Sequence, residues 1–138
     1  MSKVVCGYDG SECSRRALAE AATQARAFGD EIVVVFGYEV SRLGGEVADY
    51  AKALAEHAEE VERHARSQAD AEGVEIEVRT LEEDPVAALV EVAAEVGARA
   101  IVVGAHSESP LKGAVVGAVP HKLLQVSPVP VVCVPNVD

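Results

Sequence analysis

Hydrophobic positions along this chain keep switching between two spacings. Short apolar runs at residues 4–8, 32–36, 100–103 and 129–134 are rich in β-branched side chains and predict strands. The runs at 32–36 and 100–103 are unbroken, as expected of strands covered on both faces. Between them apolar residues recur every three or four positions, the spacing of a helix with one buried stripe. Leu18, Ala21, Ala22, Ala25 and Phe28 make such a stripe, started by Ser11 as N-cap with Glu12 in the first turn and stopped at Gly29. A longer helix is predicted over about 47–72, with Val47, Ala51, Leu54, Ala58, Val61 and Ala65 on its narrow apolar side and Gly73 at its end. Val74, Ile76 and Val78 then alternate with Glu75, Glu77 and Arg79, the pattern of a half-exposed strand at a sheet edge. Asp84-Pro85 reads as N-cap plus first helical residue, followed by the stripe Val86, Leu89, Val90, Ala93 and Val96 and by Gly97. After a polar loop at 105–112, Gly113 and Gly117 lead into a last short helix from about Ala118, carrying Leu123 and Leu124.

Strand and helix thus alternate four times before a closing strand. Helical crossovers of this length return the chain to parallel neighbours, so the expected fold is α/β: an open, doubly wound, five-stranded parallel sheet with four helices. The two unbroken apolar strands are expected at the sheet centre. A ligand crevice is expected outside the carboxyl ends of the strands, at the switch point. With 138 residues, 49% hydrophobic and 25% charged, the chain fits one domain over residues 1–138.

Charge narrows the partners. Twelve Lys and Arg against 23 Asp and Glu leave a net charge of -11, which repels phosphate backbones and anionic lipid surfaces. No apolar run approaches the roughly 18 residues of a membrane helix, and residues 1–3 lead straight into the first strand without a signal-peptide pattern. Nucleic acid and membrane are therefore not expected partners. Cys6, Cys13 and Cys133 are odd in number and form no CxxC, so a reducing cytoplasm is the expected setting.

The switch point singles out Asp9-Gly10-Ser11 after the first strand and the segment from Gly104 to Gly117 after the fourth. The second segment feeds a helix start, where unpaired N–H groups and the helix dipole attract anions such as phosphate. Between Gly104 and Gln125 there is one acid, Glu108, against Lys112 and Lys122. A locally non-acidic loop in an acidic protein suits an anionic ligand; turn-forming glycines are the plainer explanation. No GxSxG, Walker-type loop or HExxH is present. His57, Glu60 and His64 share one face of the long helix, and a solvated charged face accounts for them better than a metal site does.

Several of these segments together resemble the universal stress protein family: Asp9-Gly10-Ser11, Asp84-Pro85, Ile101-Val102-Val103-Gly104, Ser109-Pro110-Leu111-Lys112-Gly113, Gly117-Ala118-Val119-Pro120, and Val129-Pro130-Val131-Val132-Cys133-Val134. The resemblance spans essentially the whole chain. It implies a five-stranded α/β domain, cytoplasmic and tied to stress survival, forming a homodimer through the last strand, residues Val129 to Val134. One branch of the family binds adenine nucleotides and another lacks the phosphate loop. The nucleotide-binding branch carries glycine, two residues, glycine, nine residues, then glycine followed by Ser or Thr. Here Gly104 and Gly117 match, whereas Ser107 replaces the second glycine and Ala118 the hydroxyl residue. Carried over position by position, Asp9 would contact the base and ribose side, and the backbone at Tyr38 would meet adenine. Gly104 and Ser107 would flank ribose and phosphate; Gly117, Ala118 and Val119 would offer N–H groups to phosphate. His106 is a further loop candidate. The plainer roles are a helix-capping turn for Asp9 and an amphipathic strand end for Tyr38.

By family the ligand is ATP, with magnesium only beside a bound triphosphate; the two departures in the loop favour AMP or cyclic AMP. Losing one neutral hydrogen bond costs about 0.5–1.5 kcal/mol, up to roughly tenfold in affinity. The resulting expectation is a non-enzymatic, nucleotide-binding regulator of the stress response. The alternatives are a ligand-free dimer acting through protein–protein contacts and a slow ATP hydrolase.

Overall fold

A computed structural model describes residues 2–39, 47–105 and 117–135, with only the backbone of 47–50. Among these residues nine elements alternate: β1 (Lys3–Gly7), α1 (Glu12–Phe28), β2 (Glu31–Gly37), α2 (Val47–Glu72), β3 (Ile76–Leu81), α3 (Pro85–Val96), β4 (Ala100–Gly104), α4 (Ala118–Val126) and β5 (Val131–Val134). The strands form one sheet in the order β3-β2-β1-β4-β5, every neighbouring pair parallel. The chain builds outward from β1 through β2 to β3, then crosses over to β4 and β5. That reversal places the switch point between β1 and β4. The centre is therefore β1, with the two unbroken apolar strands on either side of it. Hydrophobicity distinguishes interior from edge strands but does not order the interior ones.

The two faces carry separate cores. Val4, Cys6, Ile32, Val34, Phe36 and Val102 face α1 and α2, meeting Leu18, Ala22, Val61 and Ala65. Val5, Val33, Val35, Ile101 and Val103 face α3 and α4, meeting Leu89, Val92 and Leu123. Each Val or Leu so buried contributes roughly 1.5–3 kcal/mol.

Local signals hold the helices in place. The Ser11 hydroxyl accepts from Ser14 N at 3.2 Å and starts α1, while Gly29, at φ 70°, ends it. The Asp84 carboxylate accepts from Ala87 N at 3.1 Å and starts α3. β3 is an edge strand with exposed Glu77, as its alternation predicts.

Three packing expectations change. Phe28 is 59% exposed, not buried, because α1 ends there and its ring lies beyond the sheet, beneath the Arg99 guanidinium 4.9 Å from the ring centroid. Val90 and Val96 are only half-buried, and Ala88 and Val92 take the core positions on α3. The closing strand begins at Val131, two residues later than expected: Pro130 has no N–H to give the ladder, although its carbonyl accepts from Ile101 N at 2.9 Å.

Candidate functional site

Three of the interior strands end in glycine: β1 at Gly7, β2 at Gly37 and β4 at Gly104. A Cβ on Gly104 would lie 2.8 Å from Cys13 Cβ and 2.9 Å from Cys13 O, so glycine is what lets α1 come so close to β4. A Cβ on Gly37 would lie 2.9 Å from Pro85 Cα, where α3 begins. The strand ends, with their glycines packed closely against α1 and α3, border a cavity of about 120 Å³. Val35, Leu89 and Val103 form its apolar walls, Asp9, Ser11 and Ser14 its polar side, and Val119 and Pro120 the side toward α4. The cavity therefore lies at the switch point that the strand order dictates.

The polar rim is fixed in place. Asp9 Oδ1 accepts from Ser11 N at 2.9 Å, and Gly10 turns the chain at φ 87°, which few other residues adopt. The carbonyl of Gly10 accepts from Arg15 Nε at 3.3 Å. Tyr8 donates from Oη to Gln68 Oε1 at 3.4 Å, and Gln68 Nε2 donates to the carbonyl of Arg15 at 2.7 Å, tying α2 to the start of α1.

The start of α4 supplies the anion-attracting end. Its N-cap is Gly117, which makes no side-chain capping bond. Helix geometry leaves the amides of the first turn without intrahelical acceptors, but Pro120 has no N–H. The Gly117 N–H is spent on Ala105 O at 2.7 Å, and its carbonyl accepts from His121 N. Of the three expected donors, then, Gly117 N–H is spent on Ala105, while the Ala118 and Val119 amides have no acceptor among the described residues.

A second cavity, about 540 Å³, lies on the α2 side of the Asp9–Ser11 turn. It is lined by Asp9, Gly10, Ser11, Phe36, His57, Glu60, Val61 and His64. Asp9, Ser11 and Phe36 border both cavities. His57 meets Phe36 edge-on at 5.9 Å between centroids, and His64 Nε2 lies 3.8 Å from a Glu60 carboxylate oxygen.

Of the residues expected at the site, Asp9, Gly104 and Val119 line the first cavity, and Ala118 opens the helix beside it. Ser107 and His106 lie outside the described residues. Tyr38 borders neither cavity: its N–H donates to Leu81 O at 3.0 Å and its ring stacks on Phe36 at 5.6 Å. Gly37, one residue earlier, lines the first cavity. Sequence reasoning also missed Gly7, Leu89 and Pro85. The available signal was the glycine closing three separate apolar runs, read only at Gly104.

The cysteines are packing residues here. Burial pushes the Cys6 thiol up to about 12 and raises that of Cys133, which disfavours the reactive thiolate. Among the described residues no group of three or more His, Cys, Asp or Glu is arranged to hold a metal ion. No helix among them is long and apolar enough to cross a membrane.

Comparison with known proteins agrees with this fold. The model of the universal stress protein family matches residues 1–135. A universal stress protein solved in complex with cAMP shares 32% identity over 96% of each chain, with a TM-score of 0.77. The universal stress protein from Archaeoglobus fulgidus solved in complex with dAMP shares 30% identity over 96% of each chain, with a TM-score of 0.69. A universal stress protein from Lactobacillus plantarum, at 17% identity and a TM-score of 0.85 over 96% of this chain and 97% of that one, matches in fold alone. No curated protein sequence matches this chain significantly.

Proposed function

The chain belongs to the universal stress protein family, and from that premise we propose that it binds an adenine nucleotide at the carboxyl ends of β1, β2 and β4. The observation that carries this reading is the apolar cavity lined by Gly7, Gly37 and Gly104, bordered by Asp9 on one side and the start of α4 on the other. Adenine fits between Val35, Leu89 and Val103, where a flat apolar ring displaces water from an apolar wall. Asp9 accepts from a ribose hydroxyl or an exocyclic amine, and the amides of Ala118 and Val119 receive phosphate. The relatives solved with cAMP and dAMP support this class of ligand.

Among the described residues, two such amides make a short inventory for a triphosphate. The reading therefore favours a nucleotide with one phosphate over ATP, and magnesium has a part only if a triphosphate is bound. The function proposed is non-enzymatic, that of a nucleotide-dependent regulator in the cytoplasm. The partner proposed is a second copy through β5, whose Val131, Val132, Cys133 and Val134 are half-buried at an open sheet edge beside Leu124, 61% exposed, and Val126, 51% exposed.

Ala118, which puts no hydroxyl at the start of α4, favours a second reading: a dimer that works through protein contacts without ligand. Denaturing the purified protein and assaying the supernatant for nucleotide separates the two. Calorimetric titration with ATP, ADP, AMP and cyclic AMP completes the test. Heat with AMP or cyclic AMP supports the first reading, and no heat with any of the four leaves the second.

A further inference from the structure

The buried stripe of α2 runs through Val61, Ala65 and Ala69, and beside it stands one half-buried polar residue, Gln68. An amide in that position costs desolvation unless both its ends find partners, and both do. Gln68 Nε2 donates to Arg15 O at 2.7 Å, and Tyr8 Oη donates to Gln68 Oε1 at 3.4 Å. Chemistry fixes which way the amide faces: a carbonyl only accepts, so the nitrogen meets Arg15 and the oxygen is left for the tyrosine hydroxyl. The two partners flank one turn. Tyr8, 3% exposed, immediately precedes Asp9, and its N–H bonds to Val35 O at 3.0 Å. Arg15 reaches back from α1 to Gly10, just after Asp9, whose carbonyl accepts from Arg15 Nε at 3.3 Å. Gln68 thus grips both shoulders of the turn that carries Asp9 to the edge of the adenine cavity.

We propose that Gln68 is a positioning residue for the nucleotide: through Tyr8 and Arg15 it sets where the Asp9 carboxylate stands. The proposal rests on the nucleotide reading above and deepens it, adding α2 to a site otherwise built from strand ends, α1, α3 and α4. Gln68 borders neither cavity, so it acts on the ligand only through the turn. Within that turn Ser11 N holds Asp9 Oδ1 at 2.9 Å, and the carboxylate therefore follows the backbone. A hydrogen bond weakens steeply as its geometry departs from the optimum, so a small displacement of the turn is felt in affinity. A methionine at position 68 keeps the length of the side chain and removes both bonds.

The test is a double-mutant cycle read by calorimetric titration of the full chain with AMP, using wild type, Gln68→Met, Asp9→Ala and the double variant. Gln68→Met is expected to weaken AMP about fivefold, part of the worth of one hydrogen bond to a charged group. In the Asp9→Ala background the same change should cost nothing further, because the group it positions is gone. A residue that only supports the fold would lower the melting temperature and leave this coupling at zero. Tyr8→Phe, which removes a single hydroxyl and keeps the buried ring, repeats the cycle with a smaller loss and decides the matter if Gln68→Met does not fold. Unchanged affinity in Gln68→Met and Tyr8→Phe, equal losses with and without the Asp9 carboxylate, or an Asp9→Ala variant that binds like wild type overturns the proposal, while AMP binding by the wild type keeps the nucleotide reading intact. If the wild type binds no AMP, both fall together.

Discussion

The two ends of the same sheet are built on opposite plans. At the amino ends of the strands, charged side chains close the structure. Arg99 donates to both carboxylate oxygens of Asp30, at 2.7 and 3.2 Å, and covers Phe28, while Lys3 pairs with Glu31 at 3.8 Å. Backbone bonds reinforce it: Glu31 N donates to Ser2 O and Arg99 N to Lys3 O. At the carboxyl ends Gly7, Gly37 and Gly104 instead let neighbouring elements pack directly on the strands, and they border a cavity where the other end has ion pairs. One end is satisfied by its own groups; the other keeps room and amides that a ligand can satisfy. In parallel strands all carboxyl ends fall on one side, so this division follows from the topology and not from any one residue.

The sharpest way to break the contrast is to fill the open end. Gly104→Val puts side-chain atoms against the Cβ and backbone of Cys13, which cannot swing away without moving α1. Overpacking of this kind costs about 1–3 kcal/mol, and nucleotide affinity should fall by tenfold or more. Urea denaturation and calorimetric titration measure the two effects; unchanged affinity would mean the cavity is not the binding site. Gly37→Ala is the milder version. Its methyl would meet Pro85 Cα and Glu83 O, 2.9 and 3.1 Å away, so the start of α3 must shift and about 1 kcal/mol should be lost.

Disrupting the closed end should do the reverse. Arg99→Ala leaves the Asp30 carboxylate, 1% exposed, without its bidentate partner and uncovers Phe28. Stability should drop, while nucleotide affinity stays within about twofold, as expected of sites that share no partner. An affinity that falls in step with stability would show that the two ends are energetically one unit.

The same contrast explains what could be read from the sequence. Closed-end and helix features are local: Gly29 and Gly97 as left-handed caps, and Asp84-Pro85 as a start, depend on near neighbours and are found where expected. The family motifs placed Asp9, Gly104 and Val119 at the cavity for the same reason. Non-local features were not legible. That Gly37 lines the cavity depends on strand pleat and on where α3 packs, and that the Gly117 N–H meets Ala105 O depends on the fold bringing residues 105 and 117 together. The central place of β1 comes from chain crossing and not from its composition. Phe28 fits its stripe by spacing, but the helix ends there, which periodicity does not see.

The smallest effect sharpens the comparison through pH. On β3, Glu77 sits opposite Val33 in the amino half of the sheet and is held mainly by its hydrogen bond from Arg79, which also reaches Glu95 at 3.0 Å. That bond, with the charges of Arg79 and Lys3, lowers the Glu77 carboxyl pKa below the ordinary glutamate value despite an opposing desolvation cost. A depressed folded-state pKa stabilises the fold above the unfolded value, near 4.3, and the gain is lost as pH falls through the lower folded value. Both side chains are partly exposed, so solvent screening limits the contribution to a few tenths of a kcal/mol. Glu77→Gln should therefore lower stability slightly at pH 7, and its denaturation midpoint should converge with that of the wild type as pH falls below the ordinary glutamate range. The adenine cavity, which lies at the far end of the sheet, should bind with the same affinity in both proteins at pH 7. A constant gap between the two midpoints from pH 7 to pH 3 would mean that Glu77 acts by packing, and that charge is not what closes this part of the sheet.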